Sequence, residues 1–200
     1  MRLRFSFPPA SYFGMALGVL AIGLLWRAAG GLWTLPPQIS LILLAIGGAL
    51  WAVLILAYIA KWIWARTLAV AELSDPVQSG FIALATVITF LAAQAVLPYQ
   101  RGVAIALTLV GGVIALVFAA YVSGRTWQGE RNEADTTTAL YLPTVGAGFV
   151  CGGTLGLLGW PEWGRLALGA GFFSWIAIES VLMRRFFHPP ALPPKLRPPL

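Results

Sequence analysis

Charged side chains are scarce in this sequence of 200 residues: they make up 10% of it, where a soluble domain carries about 25%. There is one cysteine, Cys151, and one histidine, His188. A single thiol excludes an intrachain disulfide, and its apolar surroundings suit a small packing residue. A lone histidine in a proline-rich stretch, far from any acidic cluster, cannot build a metal site of three or four ligands. The same scarcity leaves an intramembrane metalloprotease or a Ser–His hydrolase without its partner groups. No glycine-rich phosphate loop with a lysine is present, because the glycines fall inside apolar runs. The sequence therefore indicates no enzyme, no catalytic residue, no cofactor and no metal. Acidic tails, basic arms and aromatic-basic patches are also missing, so the net charge of +6 does not point to nucleic acid.

What is abundant is apolar side chain, 59% of the residues. A soluble fold of this length has no core able to hide so much, so lipid must cover it. Six runs are long enough to cross a hydrocarbon core, which takes about 20 residues. They cover 10–29, 38–64, 77–97, 102–121, 141–159 and 165–186. The first follows Arg2 and Arg4 as a signal peptide would. However, Pro8 and Pro9 interrupt its start and its length exceeds a signal core, so it reads as a retained helix. Residues 1–200 form one all-α, polytopic transmembrane domain, with 1–8 as a short N-terminal segment and 188–200 as a proline-rich tail. A polar loop at 123–138 gathers Arg125, Glu130, Arg131, Glu133 and Asp135 and must lie in water.

Basic residues orient the chain. Arg2, Arg4, Lys61, Arg66, Arg125, Arg131, Arg184, Arg185, Lys195 and Arg197 fall on one side, and only Arg27, Arg101 and Arg165 on the other. The positive-inside rule then places the N-terminus and the tail in the cytoplasm, for a protein of the inner (plasma) membrane.

The six runs repeat. Pro9, Pro76 and Pro143 are 67 residues apart, each near the start of an odd-numbered span and each followed by an aromatic: Phe13, Phe81 and Phe149. One period equals one hairpin, up and back, so the copies are parallel, as in many transporters. Span one holds Gly14, Gly18 and Gly23. Span five holds Gly146, Gly148, Gly152, Gly153, Gly156 and Gly159 beyond Pro143, more than a packing seam requires, and so reads as a kinked helix beside a cavity. Span two carries Trp51, Trp62 and Trp64, and span six Phe172, Phe173 and Trp175. Odd spans are therefore expected inside and even spans outside, against lipid. The candidate lining is Phe13, Gly14, Gly18, Phe81, Thr86, Thr89, Pro143, Gly146, Phe149, Gly152 and Gly153. With the hydroxyls of Ser11, Thr144 and Thr154 and helix N-termini at one end, such a lining suits a weakly held anion. A neutral solute would suit it nearly as well. Glu179 is the ionisable residue deep in a span, either a structural tie between helices or a proton-coupling group.

Several segments carry a resemblance: FPPASYFGMALGVL (7–20), ELSDPVQSGFIAL (72–84), TTTALYLPTVGAGF (136–149) and LGAGFFSWIAIES (168–180). In this order, and spread along nearly the whole chain, they resemble the tellurite-resistance/dicarboxylate transporter family, which includes plant guard-cell slow anion channels. Ser180 stands where many bacterial members have proline. The resemblance implies ten transmembrane helices in five hairpins around a central pore lined by the odd helices, and trimers with one pore per protomer. It also implies small anions as cargo, chloride- or nitrate-like ions, tellurite or C4-dicarboxylates. Three hairpins are present here, so the chain is expected to be the N-terminal part of a longer pore domain, its tail resembling the linker before a seventh helix. Two alternatives stay open: a proton-coupled dicarboxylate carrier using Glu179, and a non-transporting membrane assembly subunit.

Overall fold

Seven α-helices follow one another in a computed structural model that describes residues 7–75, 77–127 and 141–187. They are α1 (Phe13–Gly30, preceded by a 3-10 turn at Ala10–Tyr12), α2 (Pro37–Trp64), α3 (Arg66–Ser74), α4 (Gln78–Val96), α5 (Arg101–Trp127), α6 (Ala147–Leu157) and α7 (Pro161–Phe187). Pro76, Arg2, Arg4, most of the polar loop and the tail with His188 lie outside the described residues. Among the described residues every regular element is helical. The chain is an all-α, polytopic membrane protein. Five of its helices are long and apolar enough to cross a membrane, and Leu142–Leu157 is a shorter apolar helix.

Local chemistry sets the boundaries. Pro36 and Pro37 stop the chain leaving α1 and start α2, where a proline at the first helical position forfeits only an amide that would have no partner. Gly159, at φ 83°, turns α6 into α7. The Asp75 carboxylate accepts from the Val77 and Gln78 amides and so satisfies the exposed start of α4. Span five does not begin as a regular helix. Leu142–Gly146 forms a π-helical turn around Pro143, and α6 proper begins at Ala147.

The helices pack as neighbours along the chain. α1 lies against α2, α4 against α5, and α6 against α7, while α4 also packs between α1 and α6. The three helices α1, α4 and α6 point the same way. The turn before α1 touches α4, and hydrogen bonds join the far ends, Arg27 to Gln94 and Gln94 to Thr154. α4 is the enclosed element, with residues from Gly80 to Ala93 almost continuously buried. The other long helices show most of their apolar surface: Leu116 on α5 and Phe173 on α7 are over 70% exposed. Such apolar exteriors are stable only against lipid or further protein.

Three features were not read from the sequence. The connection at 65–75 contains a short helix, α3. Trp51 was expected to face lipid, yet its indole N–H donates to Thr89 Oγ1 of α4 (3.1 Å). Lys61, one of the basic residues counted in orienting the chain, is 2% exposed. Its ammonium donates to Pro8 O (2.7 Å) and Glu72 Oε1 (2.8 Å), tying the N-terminal segment to α2 and α3.

Candidate pore-lining face

Helical spacing divides α6 into two faces. Gly148 and Gly152 lie four residues apart and meet α7. A Cβ on Gly148 would stand 2.8 Å from Gly171 Cα, and one on Gly152 would stand 2.9 Å from Gly164 O. Gly164 reciprocates, so the two backbones touch through a seam that only glycine permits. Gly152, expected in the lining, is therefore a packing residue. Gly146, Phe149, Gly153 and Gly156 share the neighbouring face, and Phe149 also lies over α7, since a Cβ on Gly171 would stand 3.0 Å from its ring. Gly153 and Gly156 have nothing within 4 Å of an added Cβ, and Phe149 is 39% exposed.

On α1, the stripe Phe13, Ala16, Leu20 and Gly23 is buried, and Leu20 interlocks with Gly47 of α2. Phe13 is thus a core residue, edge-on to Tyr58 with centroids 5.5 Å apart. Gly14 and Gly18, one turn apart, have open space where a side chain would be. On α4 the half-buried stripe is Gln78, Phe81 and Ala85. Thr86 and Thr89 are buried, and their hydroxyls donate back to Ala83 O and Ala85 O within their own helix (both 2.7 Å). Neither hydroxyl is presented to a solute. Pro143 is buried inside the π-helical turn. The expected lining thus divides: Gly14, Gly18, Phe81, Gly146, Phe149 and Gly153 retain open or half-open faces, and Phe13, Thr86, Thr89, Pro143 and Gly152 are packed.

Glu179 lies at the end of an open cleft of about 460 Å³ lined by Tyr141, Val145, Phe149, Phe172 and Trp175. The Tyr141 hydroxyl donates to its carboxylate, joining α7 to the residue just before the π-helical turn. Among the described residues no group of three or more His, Cys, Asp or Glu is placed to hold a metal ion.

Sequence reading missed the polar links between the helices. Arg27 donates from α1 to the Gln94 and Ala95 carbonyls of α4, Gln94 Nε2 donates to Thr154 Oγ1 of α6 (2.8 Å), and Arg101 Nη2 donates to Leu158 O (2.6 Å). The available signal was the rarity of these groups: two of the three basic residues of the depleted side are the ones engaged.

A family model described as "Voltage-dependent anion channel" matches residues 7–200. The chain is also 33% identical over 186 residues to the tellurite resistance protein TehA homolog of Haemophilus influenzae. That match covers 92% of this chain and 57% of the relative, so the chain spans somewhat more than half the relative's length.

Proposed function

We propose a function from one premise: the chain belongs to the voltage-dependent anion channel family. The reading is that it forms part of a membrane pore for small anions, with α1, α4 and α6 as the inner helices. The observation that carries it is the parallel set of three inner helices, whose open stripes bear glycine and phenylalanine and no acidic side chain. Inner helices that bring no carboxylate of their own suit an anion that must enter and leave quickly, and the Glu179 carboxylate beside Phe149 is engaged by the Tyr141 hydroxyl.

The finer statements rest on the same support. Three helix pairs in series fit three hairpins of a five-hairpin, ten-helix pore. The homotrimer, the inner-membrane location and the cytoplasmic N-terminus follow from the resemblance and the basic-residue count. Chloride- or nitrate-like ions are the simplest cargo, and the relative's name adds tellurite. The glycine-lined stripes leave room for a C4-dicarboxylate as well.

Full-length protein in liposomes is expected to pass chloride or nitrate down its gradient. Flux no greater than that of empty vesicles at every applied voltage would sink the proposal.

A further inference from the structure

The helices α1, α4 and α6 finish at the same end of the molecule, and each leaves backbone carbonyls without an amide partner there. A helix C-terminus carries about −0.5 elementary charge, so three together present about −1.5 to an approaching ion. The effect is confined to the last turn, so the opposed starts of α2, α5 and α7 on the periphery offset it poorly at the centre. Left alone, this end would repel the anions that the proposed pore is meant to carry.

Two arginines sit on those carbonyls. Arg27, half-buried at the end of α1, places Nη1 3.3 Å from Gln94 O and 3.2 Å from Ala95 O, and Nη2 3.3 Å from Ala95 O, all in the last turn of α4. Arg101, at the start of α5, places Nη2 2.6 Å from the carbonyl of Leu158, the residue closing α6. Each guanidinium comes from a different hairpin than the helix it caps, and an always-charged planar group suits that role better than an amine. The acid at this end among the described residues is Glu162, held by Arg165 at 2.7 Å. Arg27 and Arg101 thus supply about two positive charges against about −1.5 of helix-end charge, and they decide the sign of the potential at this mouth.

We infer that Arg27 and Arg101 are anion-selectivity residues that act by capping the ends of α4 and α6 and making this mouth attractive to anions. The inference rests on the proposed pore and deepens it. A unit charge about 8 Å away through water changes local anion concentration about two- to threefold, and salt removes the effect because the screening length falls to about 3 Å at 1 M.

The test is anion flux through full-length protein in liposomes at about 10 mM and 1 M salt. Arg27→Gln and Arg101→Gln are each expected to lower flux two- to threefold at low salt and to match wild type at high salt. Arg27→Lys and Arg101→Lys should retain the low-salt flux. Tyr99→Glu adds the opposite charge beside Arg101 at an exposed site whose side chain anchors nothing. It should reproduce the low-salt loss even where a glutamine variant fails to assemble. Losses of equal size at both salt concentrations, or a Tyr99→Glu protein indistinguishable from wild type, would overturn the inference while leaving the pore intact. Absence of wild-type flux would instead remove the pore reading itself.

Discussion

At the scale of single residues, burial decides what a charge does. Lys61 sits in the last turn of an apolar helix, where sequence alone suggests a side chain reaching for water. Instead its ammonium is enclosed, with Glu72 and the Pro8 carbonyl as partners and the Tyr58 ring 5.7 Å away. Removing one partner of a buried pair strands the other, at a cost of about 3–5 kcal/mol, whereas removing both is much milder. Lys61→Met is therefore expected to lower the thermal unfolding midpoint in detergent sharply, and Lys61→Met/Glu72→Leu to recover most of the loss. A single variant as stable as wild type would show that water reaches the pair. Glu179 differs, since its carboxylate accepts a hydrogen bond from Tyr141 at the edge of an open cleft. A glutamine carbonyl can accept the same bond, so Glu179→Gln should leave assembly and anion flux unchanged. Loss of pH-driven dicarboxylate uptake in that variant would instead favour a proton-coupled carrier.

At the scale of elements, the long helices were legible because hydropathy and proline mark where a chain enters and leaves lipid. The span expected at 38–64 is observed as Pro37–Trp64, and that at 77–97 as Gln78–Val96. Orientation about each helix axis was not legible. α2 is apolar nearly all round, so nothing in its pattern revealed that Trp51 turns toward Thr89. α3 escaped because nine residues of mixed polarity read as a connection. The glycines of α6 were legible as a group, but their division between seam and open face depends on which side α7 occupies. That division is testable with one substitution at adjacent sites, where helix propensity cancels. Gly152→Val forces the backbones of α6 and α7 apart and should destabilise by about 1–3 kcal/mol more than Gly153→Val, which projects into open space. Unfolding of the two variants in detergent measures the difference. Equal stability would mean that the seam opens freely.

At the scale of the whole molecule, the resemblance read from short motifs is borne out by family membership, whereas the positions expected to line a pore differ in burial in a way no motif marks. A periodic phenylalanine after each proline marks equivalent positions, yet Phe13 is enclosed, Phe81 half-buried and Phe149 exposed. Equivalent positions acquire different surroundings because α4 has inner neighbours on both sides, while α1 and α6 have one each. Two kinds of open surface remain: the glycine-bearing stripes of α1 and α6, and the aliphatic faces of α2, α5 and α7. If the first bounds an aqueous path and the second meets lipid, a thiol should tell them apart, because a charged reagent reaches cysteine only through water and reacts with the thiolate. With Cys151 first replaced by serine, Gly18→Cys and Gly153→Cys in the full-length protein should react with a membrane-impermeant anionic thiosulfonate and lose flux on doing so. Leu116→Cys, on the exposed apolar face of α5, should stay unmodified. The reverse pattern, a reactive residue 116 beside inert residues 18 and 153, would place water on the outside of the helix pairs and remove α1 and α6 from the lining.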